Sequence, residues 1–518
     1  MSATAEMRMR SLRSVLALAL LLAGAGCVAG TRRIVTCRWW VGRTPPAFDP
    51  GGPPDAVRWS LERLLTRGLV EEDEEGRIVP AAASRVDVSR DGLAITFHLR
   101  RDLKFTNGAR CSSSVFRSAI ETGLQRTDHA TLAWALSAVR GVEAVRTGRP
   151  LPPLGVETPD DSTLVLGLAR PDSLLLRKLA LPGLCSAWLR PAPAPSWKGA
   201  IGLGPYRVGG AEGELRLVLA RSAARGAAAR PDTVRVRFET GAARLRTALR
   251  AGRVDLLWPV PGSLLREALP ETYRRESLPA SPPRRLLLVM RADVPPTSKI
   301  AARQALAHGL HRAEIPRMLG RGAREPVAWW SGAAPFEFPK LDAHDVAAWL
   351  ERGRLGRSFH AVMIFDGDGP GGAVARSLQG EWAQLNLSVD VSPLRGAPLA
   401  VESLSGWRAH LLLVEWQPLI DDPAAELAML VMPMRGPPVG PVRTGWRTRE
   451  FDPWVRSDPG AAPLDLDEAE RRLAEVLVAL PLANLDWTWV ERSGAQKLTI
   501  HPHFGPEVAH VGPGDFAR

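Results

Sequence analysis

Gly367-Asp368-Gly369-Pro370-Gly371-Gly372 follows an apolar run and precedes a helical pattern. It therefore fits the G-x-G-x-x-G spacing that cradles a dinucleotide, with Asp390 near the place of a ribose-binding acid. The local charge argues against that chemistry. A helix N-terminus holds pyrophosphate through its free N–H groups, and Asp366 and Asp368 would set two carboxylates beside it. His501, His503 and His510 are candidate metal ligands, but His501-Pro502-His503 is an unspecific spacing, and Cys27, Cys37, Cys111 and Cys185 include no C-x-x-C pair. No metal or other cofactor is expected. No G-x-S-x-G, H-E-x-x-H or P-loop pattern occurs, so nothing in the chain points to an enzyme. What remains is aromatic, with 17 Trp against two Tyr. Trp329, Trp330, Trp407 and Trp416 offer flat apolar faces with one N–H each, suited to walls around peptide side chains, sugars or aromatic solutes, and equally to core packing.

Strands and helices must alternate to position such residues. Strands are predicted over 34–40, 94–99, 286–290, 361–365, 388–391 and 411–415, and helices over 56–69, 112–124, 301–319, 374–385 and 467–480, the last stopped by Pro481. A strand-helix-strand pattern also runs from Val234 to Val260. This order predicts an α/β protein with mainly parallel sheets. A length of 518 residues allows about three domains at roughly 100–200 residues each.

The N-terminus sets the compartment. Arg8, Arg10 and Arg13 precede the apolar run Val15–Leu22, which ends in Ala23-Gly24-Ala25-Gly26-Cys27. This is the layout of a secretory signal, with Cys27 placed as the acylated cysteine of a bacterial lipoprotein and Gly24 where such sites usually hold Leu. Acylation of Cys27 would leave Cys37, Cys111 and Cys185, enough for at most one disulfide. The net charge of +12 comes almost wholly from arginines spread along the chain among acidic residues, without a basic arm, so no nucleic-acid partner is expected.

Several segments in order carry a resemblance. Phe48-Asp49-Pro50 is followed by Gly76-Arg77-Ile78-Val79-Pro80, and then by Val88-Ser89-Arg90-Asp91-Gly92 running through Thr96-Phe97-His98-Leu99-Arg100 to Lys104-Phe105-Thr106-Asn107-Gly108. Gly204-Pro205-Tyr206, Ala248-Leu249-Arg250-Ala251-Gly252-Arg253-Val254-Asp255 and Arg303-Gln304-Ala305-Leu306-Ala307 continue the set. Together they resemble the family 5 extracellular solute-binding proteins, the peptide, nickel and oligosaccharide receptors of ABC importers. The resemblance implies a two-lobed periplasmic-binding-protein type II fold with a hinge and an extra inserted subdomain. It places a signal peptide at 1–27, lobe 1 at 28–75, 197–285 and 485–518, the inserted subdomain at 76–196 and lobe 2 at 286–484. It further implies a monomeric, lipid-anchored receptor in the cell envelope, which captures a small organic solute, oligopeptides among the candidates, and hands it to permease and ATPase subunits. A sensor of the same fold, uncoupled from transport, is the alternative.

One departure bears on the solute. Peptide receptors of this family carry an Asp three residues after a Trp, pairing with the peptide's α-ammonium. Here the segment reads Trp416-Gln417-Pro418-Leu419-Ile420-Asp421-Asp422-Pro423, with Leu419 in that place. A buried ammonium without a partner costs several kcal/mol, so free peptide N-termini are poor candidates unless Asp421 substitutes.

Overall fold

The computed structural model describes residues 36–507 apart from internal stretches, the longest being 190–196, 220–230, 334–342, 395–408, 432–445 and 452–463. The signal segment with Cys27, and also Trp407, Cys185 and His510, lie outside the described residues.

The chain enters through β1 (Thr36–Val41), turns at Phe48-Asp49-Pro50 and forms α1 (Ala56–Leu65). Asp55 caps this helix, its Oδ1 accepting from Arg58 N at 2.8 Å. The helix ends four residues before the predicted Leu69, because the Thr66 amide and hydroxyl both bond the Glu62 carbonyl, at 2.7 and 3.0 Å. The hairpin β2 (Val70–Glu72) and β3 (Ile78–Pro80) then leads into an inserted block. That block holds β4 (Ala83–Val88), β5 (Ala94–Leu99), α2 (Ser113–Leu124), α3 (Ala130–Ala135), α4 (Val142–Thr147), β6 (Val156–Asp160), β7 (Thr163–Gly167) and α5 (Leu175–Leu179). Its four-stranded antiparallel sheet runs β4-β5-β7-β6.

The chain returns through the paired β8 (Trp188–Leu189) and β9 (Ile201–Gly202) to β10 (Tyr206–Gly210), β11 (Leu215–Leu219), β12 (Thr233–Phe238), α6 (Ala242–Arg250), β13 (Leu256–Leu257) and β14 (Tyr273–Leu278). A second sheet follows, built from β15 (Arg284–Met290), α7 (Ile300–His308), α8 (Glu314–Leu319), β16 (Ala323–Arg324), α9 (Ala343–Arg352), β17 (Phe359–Asp366), α10 (Gly371–Gln384), β18 (Leu387–Leu394), β19 (Leu411–Trp416), α11 (Pro423–Val431), α12 (Leu466–Val476) and β20 (Ala479–Leu485). Strand β21 (Trp487–Arg492) goes back to the first sheet, and β22 (Thr499–His501) pairs with β23 (Gly505–Glu507).

The first lobe's sheet has the order β10-β11-β12-β1-β13-β21-β14, and the second's the order β16-β20-β15-β19-β17-β18. The chain crosses between them twice, at residues 278–284 and at the single residue Asp486 between β20 and β21. Both sheets are mixed, which corrects the expectation of mainly parallel ones. The parallel pairs β1–β12, β1–β13, β17–β18 and β17–β19 form the centre of one sheet and one side of the other, and antiparallel pairs, most of them between strands distant in sequence, complete them.

Two further expectations shift. The helix predicted over 301–319 divides at Gly309, where a Cβ would stand 2.8 Å from the Ala305 carbonyl oxygen. Pro481 does not stop a helix but lies inside β20, which is tolerated for a local reason. The register slips between Leu286 and Leu287, and β16 pairs only with Leu485 and Asn484, so the missing N–H of Pro481 falls at a bulge.

The first sheet buries Trp39, Val41, Val234 and Leu256 against Val57, Leu61 and Leu64 of α1 on one face. Part of the other face, with Trp40, Leu257 and Val490, packs on Leu245 and Leu249 of α6. Cys37 and Cys111 are free thiols, and burial, aided by Asp255, pushes the Cys37 thiol up to about 12.

Candidate functional site

Open α/β sheets bind ligands beyond the carboxyl ends of their parallel strands. Here the two parallel sets point those ends at a common seam. Beyond β1 come Gly42 and Arg43, and beyond β13 the loop from Trp258 to Gly262. From the other lobe come Asp366 at the end of β17, Gly369 and Pro370 before α10, and Glu415 and Trp416 at the end of β19. The approach is close. A Cβ on Gly262 would stand 2.9 Å from Pro370 Cα and 3.2 Å from the Gly369 carbonyl oxygen.

The seam is charged. Arg43 Nη2 meets Asp55 Oδ2 at 2.5 Å. Burial opposes the Arg43 charge, yet Asp55, with Asp366 and Glu415 behind it, holds the guanidinium above its ordinary range. Arg284 Nη2 meets Glu415 Oε2 at 2.5 Å, and its Nη1 donates to the Asp486 carbonyl at 3.2 Å. The Arg284 guanidinium lies 4.1 Å above the Trp487 ring, which abuts Trp258. Glu415 Oε1 and Asp366 Oδ2 lie 3.1 and 3.2 Å from the point a Gly369 Cβ would occupy. The α10 N-terminus is thus faced by two carboxylates, the arrangement that repels a pyrophosphate.

The tryptophans singled out from sequence sit one layer deeper. Trp329, Trp330 and Trp416 are buried together in the second lobe, with Trp329 6.4 Å from Trp330 and 6.3 Å from Trp416 between ring centroids. Arg285 braces them. Its guanidinium lies 5.2 Å over Trp329, donates to the Trp329 carbonyl and pairs with Glu426 at 2.6 Å. Trp330 Nε1 donates to the other Glu426 oxygen at 3.1 Å, and the Trp329 amide donates to Glu470 at 2.9 Å. Glu470 also feels the charge of this one buried guanidinium, and burial pushes both Glu426 and Glu470 up to about 7 despite it. Leu419 is only 3% exposed, in the same hydrophobic cluster as these tryptophans, whereas Asp421 faces solvent. Gln417 ties this segment to the crossing by donating to the carbonyls of Pro282 and His503 at 3.0 and 3.1 Å.

His501 and His503 are buried, with His503 Nδ1 3.2 Å from the Glu72 carboxylate and His501 Nε2 3.2 Å from the Glu72 carbonyl. Among the described residues no group of three His, Cys, Asp or Glu side chains is arranged to hold a metal.

Residues 77–434 match the family described as "Bacterial extracellular solute-binding proteins, family 5 Middle". The chain belongs to this family. Among family 5 relatives, it is 33% identical over 181 residues to "Di/tripeptide-binding protein 4" of Pseudomonas aeruginosa (strain UCBPP-PA14), covering 34% of this chain and 32% of that protein. It is 29% identical over 128 residues to "Oligopeptide-binding protein OppA" of Bacillus subtilis (strain 168), covering 24% of each. The matches thus span a third or less of those relatives' length. The family 5 fold extends further than this sequence likeness. The binding protein AgaA of Agrobacterium, solved with agropinic acid, superposes with a TM-score of 0.74 at 19% identity, over 92% of this chain and 99% of that one. The pheromone receptor PrgZ gives 0.75 at 16% identity, over 92% and 98%.

Arg43, Arg284 and Glu415 were not singled out by sequence reasoning, and Asp366 was named there only as a charge that argues against a pyrophosphate. A signal was present, since each carboxylate closes an apolar strand (MIFD, LLLVE) at the end where such sheets bind.

Proposed function

We propose that this chain is an extracytoplasmic receptor that captures a small organic solute in the seam between its lobes and delivers it to an ABC importer, anchored to the membrane through Cys27. The observation that carries this reading is the seam itself. The carboxyl ends of two parallel strand sets face each other across it, and Arg43, Arg284, Asp366 and Glu415 gather there with the ring of Trp487. Family membership and the peptide receptors among the relatives support the same role.

The solute class follows from Leu419. An apolar side chain, buried where peptide receptors of this family hold a carboxylate, takes away that partner for an α-ammonium, so solutes without a free amine at that point fit best. AgaA, bound to agropinic acid, supports a wider solute range for this fold. Calorimetric titration with free and N-acetylated di- and tripeptides tests this. The wild type should bind free peptides weakly and lose nothing on acetylation. A loss of about 2 kcal/mol or more on acetylation, the scale of removing one partner of a buried charge pair, would show that Asp421 or another acid does the pairing. Leu419→Asp should lower the melting temperature and gain preference for the free amine.

A further inference from the structure

The face of the seven-stranded sheet turned away from α1 carries arginines in register. Arg38 of β1 lies opposite Arg235 of β12, and Arg235 opposite Arg216 of β11. Arg237, two residues along β12, stacks 4.9 Å over Trp40. Arg207 of β10 is on the same face, since it pairs with Val218, which alternates with Arg216. Arg492 of β21 joins through Asp255, which accepts from both Arg492 and Arg38. Helix α6 covers only the Trp40, Leu257 and Val490 end of this face, and Arg207, Arg216, Arg235 and Arg237 are exposed. Asp255 and Glu214, the latter 2.5 Å from Arg235, balance part of the charge. Among the described residues no carboxylate pairs with Arg207, Arg216 or Arg237.

Like charges directly opposite one another weaken a sheet. Asp255 and Glu214 offset this for Arg38 and Arg235, which leaves Arg216, opposite Arg235, with Arg207 and Arg237 as the charges that a surface outside the chain would balance. The row is spread over a sheet surface and not gathered into a pocket, so it suits an array of anions better than one small ligand. Guanidinium groups match phosphate oxygens in bidentate geometry. The sequence adds a position: β1, which carries Arg38, begins nine residues after Cys27. If Cys27 is acylated, a tether of that length reaches no more than about 30 Å, which keeps this strand near the bilayer.

We propose that this arginine face docks on the anionic phospholipid headgroups of the membrane. Acylation at Cys27 would strengthen the contact, but the contact does not depend on it, nor on which solute is carried.

The mature chain from Cys27, made without export so that no acyl group is attached, is sedimented with vesicles. Those containing acidic phosphatidylglycerol should bind it at least tenfold more tightly than pure phosphatidylcholine at low salt, with the difference lost as salt screens the charge. Combining Arg216→Gln, Arg235→Gln and Arg237→Gln should cut binding at least fivefold with the melting temperature held or raised. Combining Arg317→Gln, Arg352→Gln and Arg471→Gln, on exposed sites of the second lobe, changes the net charge equally and should leave binding intact. Equal losses from both triples would trace binding to net charge and overturn the proposal. So would equal binding to both vesicle types, or capture by heparin with no vesicle binding.

Discussion

Glu62 is fully buried in α1, and neither of its carboxylate oxygens has a hydrogen-bond partner among the described residues. Its nearest cation is Arg58, with Nε 3.4 Å from Oε1. Burial is the larger effect and raises the Glu62 carboxyl to about 8, with Arg58 pulling the other way and Asp49 and Asp55 adding repulsion. A carboxyl whose folded pKa lies above its unfolded value contributes stability that is complete below about 4.5 and is lost as pH rises through the folded value. Glu426 and Glu470, both raised to about 7, act in the same direction. The melting temperature should therefore fall between pH 5 and pH 8. Glu62→Gln should flatten that fall, stabilising the protein on the order of 2–4 kcal/mol at pH 8 and little at pH 4.5. Parallel melting curves for the two proteins would count against a buried, protonated Glu62. Nothing in the sequence marks Glu62, because burial and the lack of a partner come from the inserted block folding against α1. A Cβ on Gly183 of that block would stand 2.4 Å from Glu62 Oε2.

At the level of elements, the two loops that meet across the seam leave no room for a side chain. Gly262 faces backbone atoms of Gly369 and Pro370, which cannot swing aside as a flexible side chain would. Gly262→Val should hold the lobes apart, weakening solute affinity at least tenfold while changing the solute-free melting temperature by little. Titration and melting of the same variant check both halves, and an unchanged affinity would show that the loops need not meet when solute binds. The βαβ unit around these loops was legible in the sequence because its periodicity is strong and its helix long. The ends of helices were less so. Thr66 closes α1 through its own hydroxyl, and Gly309 divides the helix predicted over 301–319. The misreading of Pro481 has a different cause, since only the partner strand's slipped register makes a proline acceptable there. Of the candidate site, the sequence marked the tryptophans but not the ion pairs above them. Aromatic residues stand out by type, whereas Arg284 and Glu415 are 131 residues apart and meet only through the β15–β19 pairing.

For the whole molecule, two crossings between the lobes form a natural hinge. Solute binding should reduce the radius of gyration in small-angle scattering and raise the melting temperature, by about 2.7 kcal/mol of stabilisation at a 100-fold excess over Kd. A tight solute that leaves scattering unchanged would exclude closure. For the proposed anchor, Cys27→Ala should move the protein from the membrane to the soluble envelope fraction or leave it as uncleaved precursor. Unaltered fractionation and mobility would rule out acylation there.

The place of β21 also bears on how the chain is made. It is hydrogen-bonded between β13 and β14 in the first lobe's sheet, yet it is synthesised about 200 residues after either of them. Until Trp487–Arg492 emerge from the ribosome, β14 has no neighbour and the sheet begun at Thr36 ends at β13. The first lobe therefore completes its sheet only with nearly the whole polypeptide in hand, and closing so long a loop is slow. If the N-terminus is the export signal it resembles, such a delay would leave the polypeptide loose enough to thread through a secretion channel before it folds. A chain cut short before Trp487 would then reach the far side with β13 and β14 unjoined, open to proteolysis.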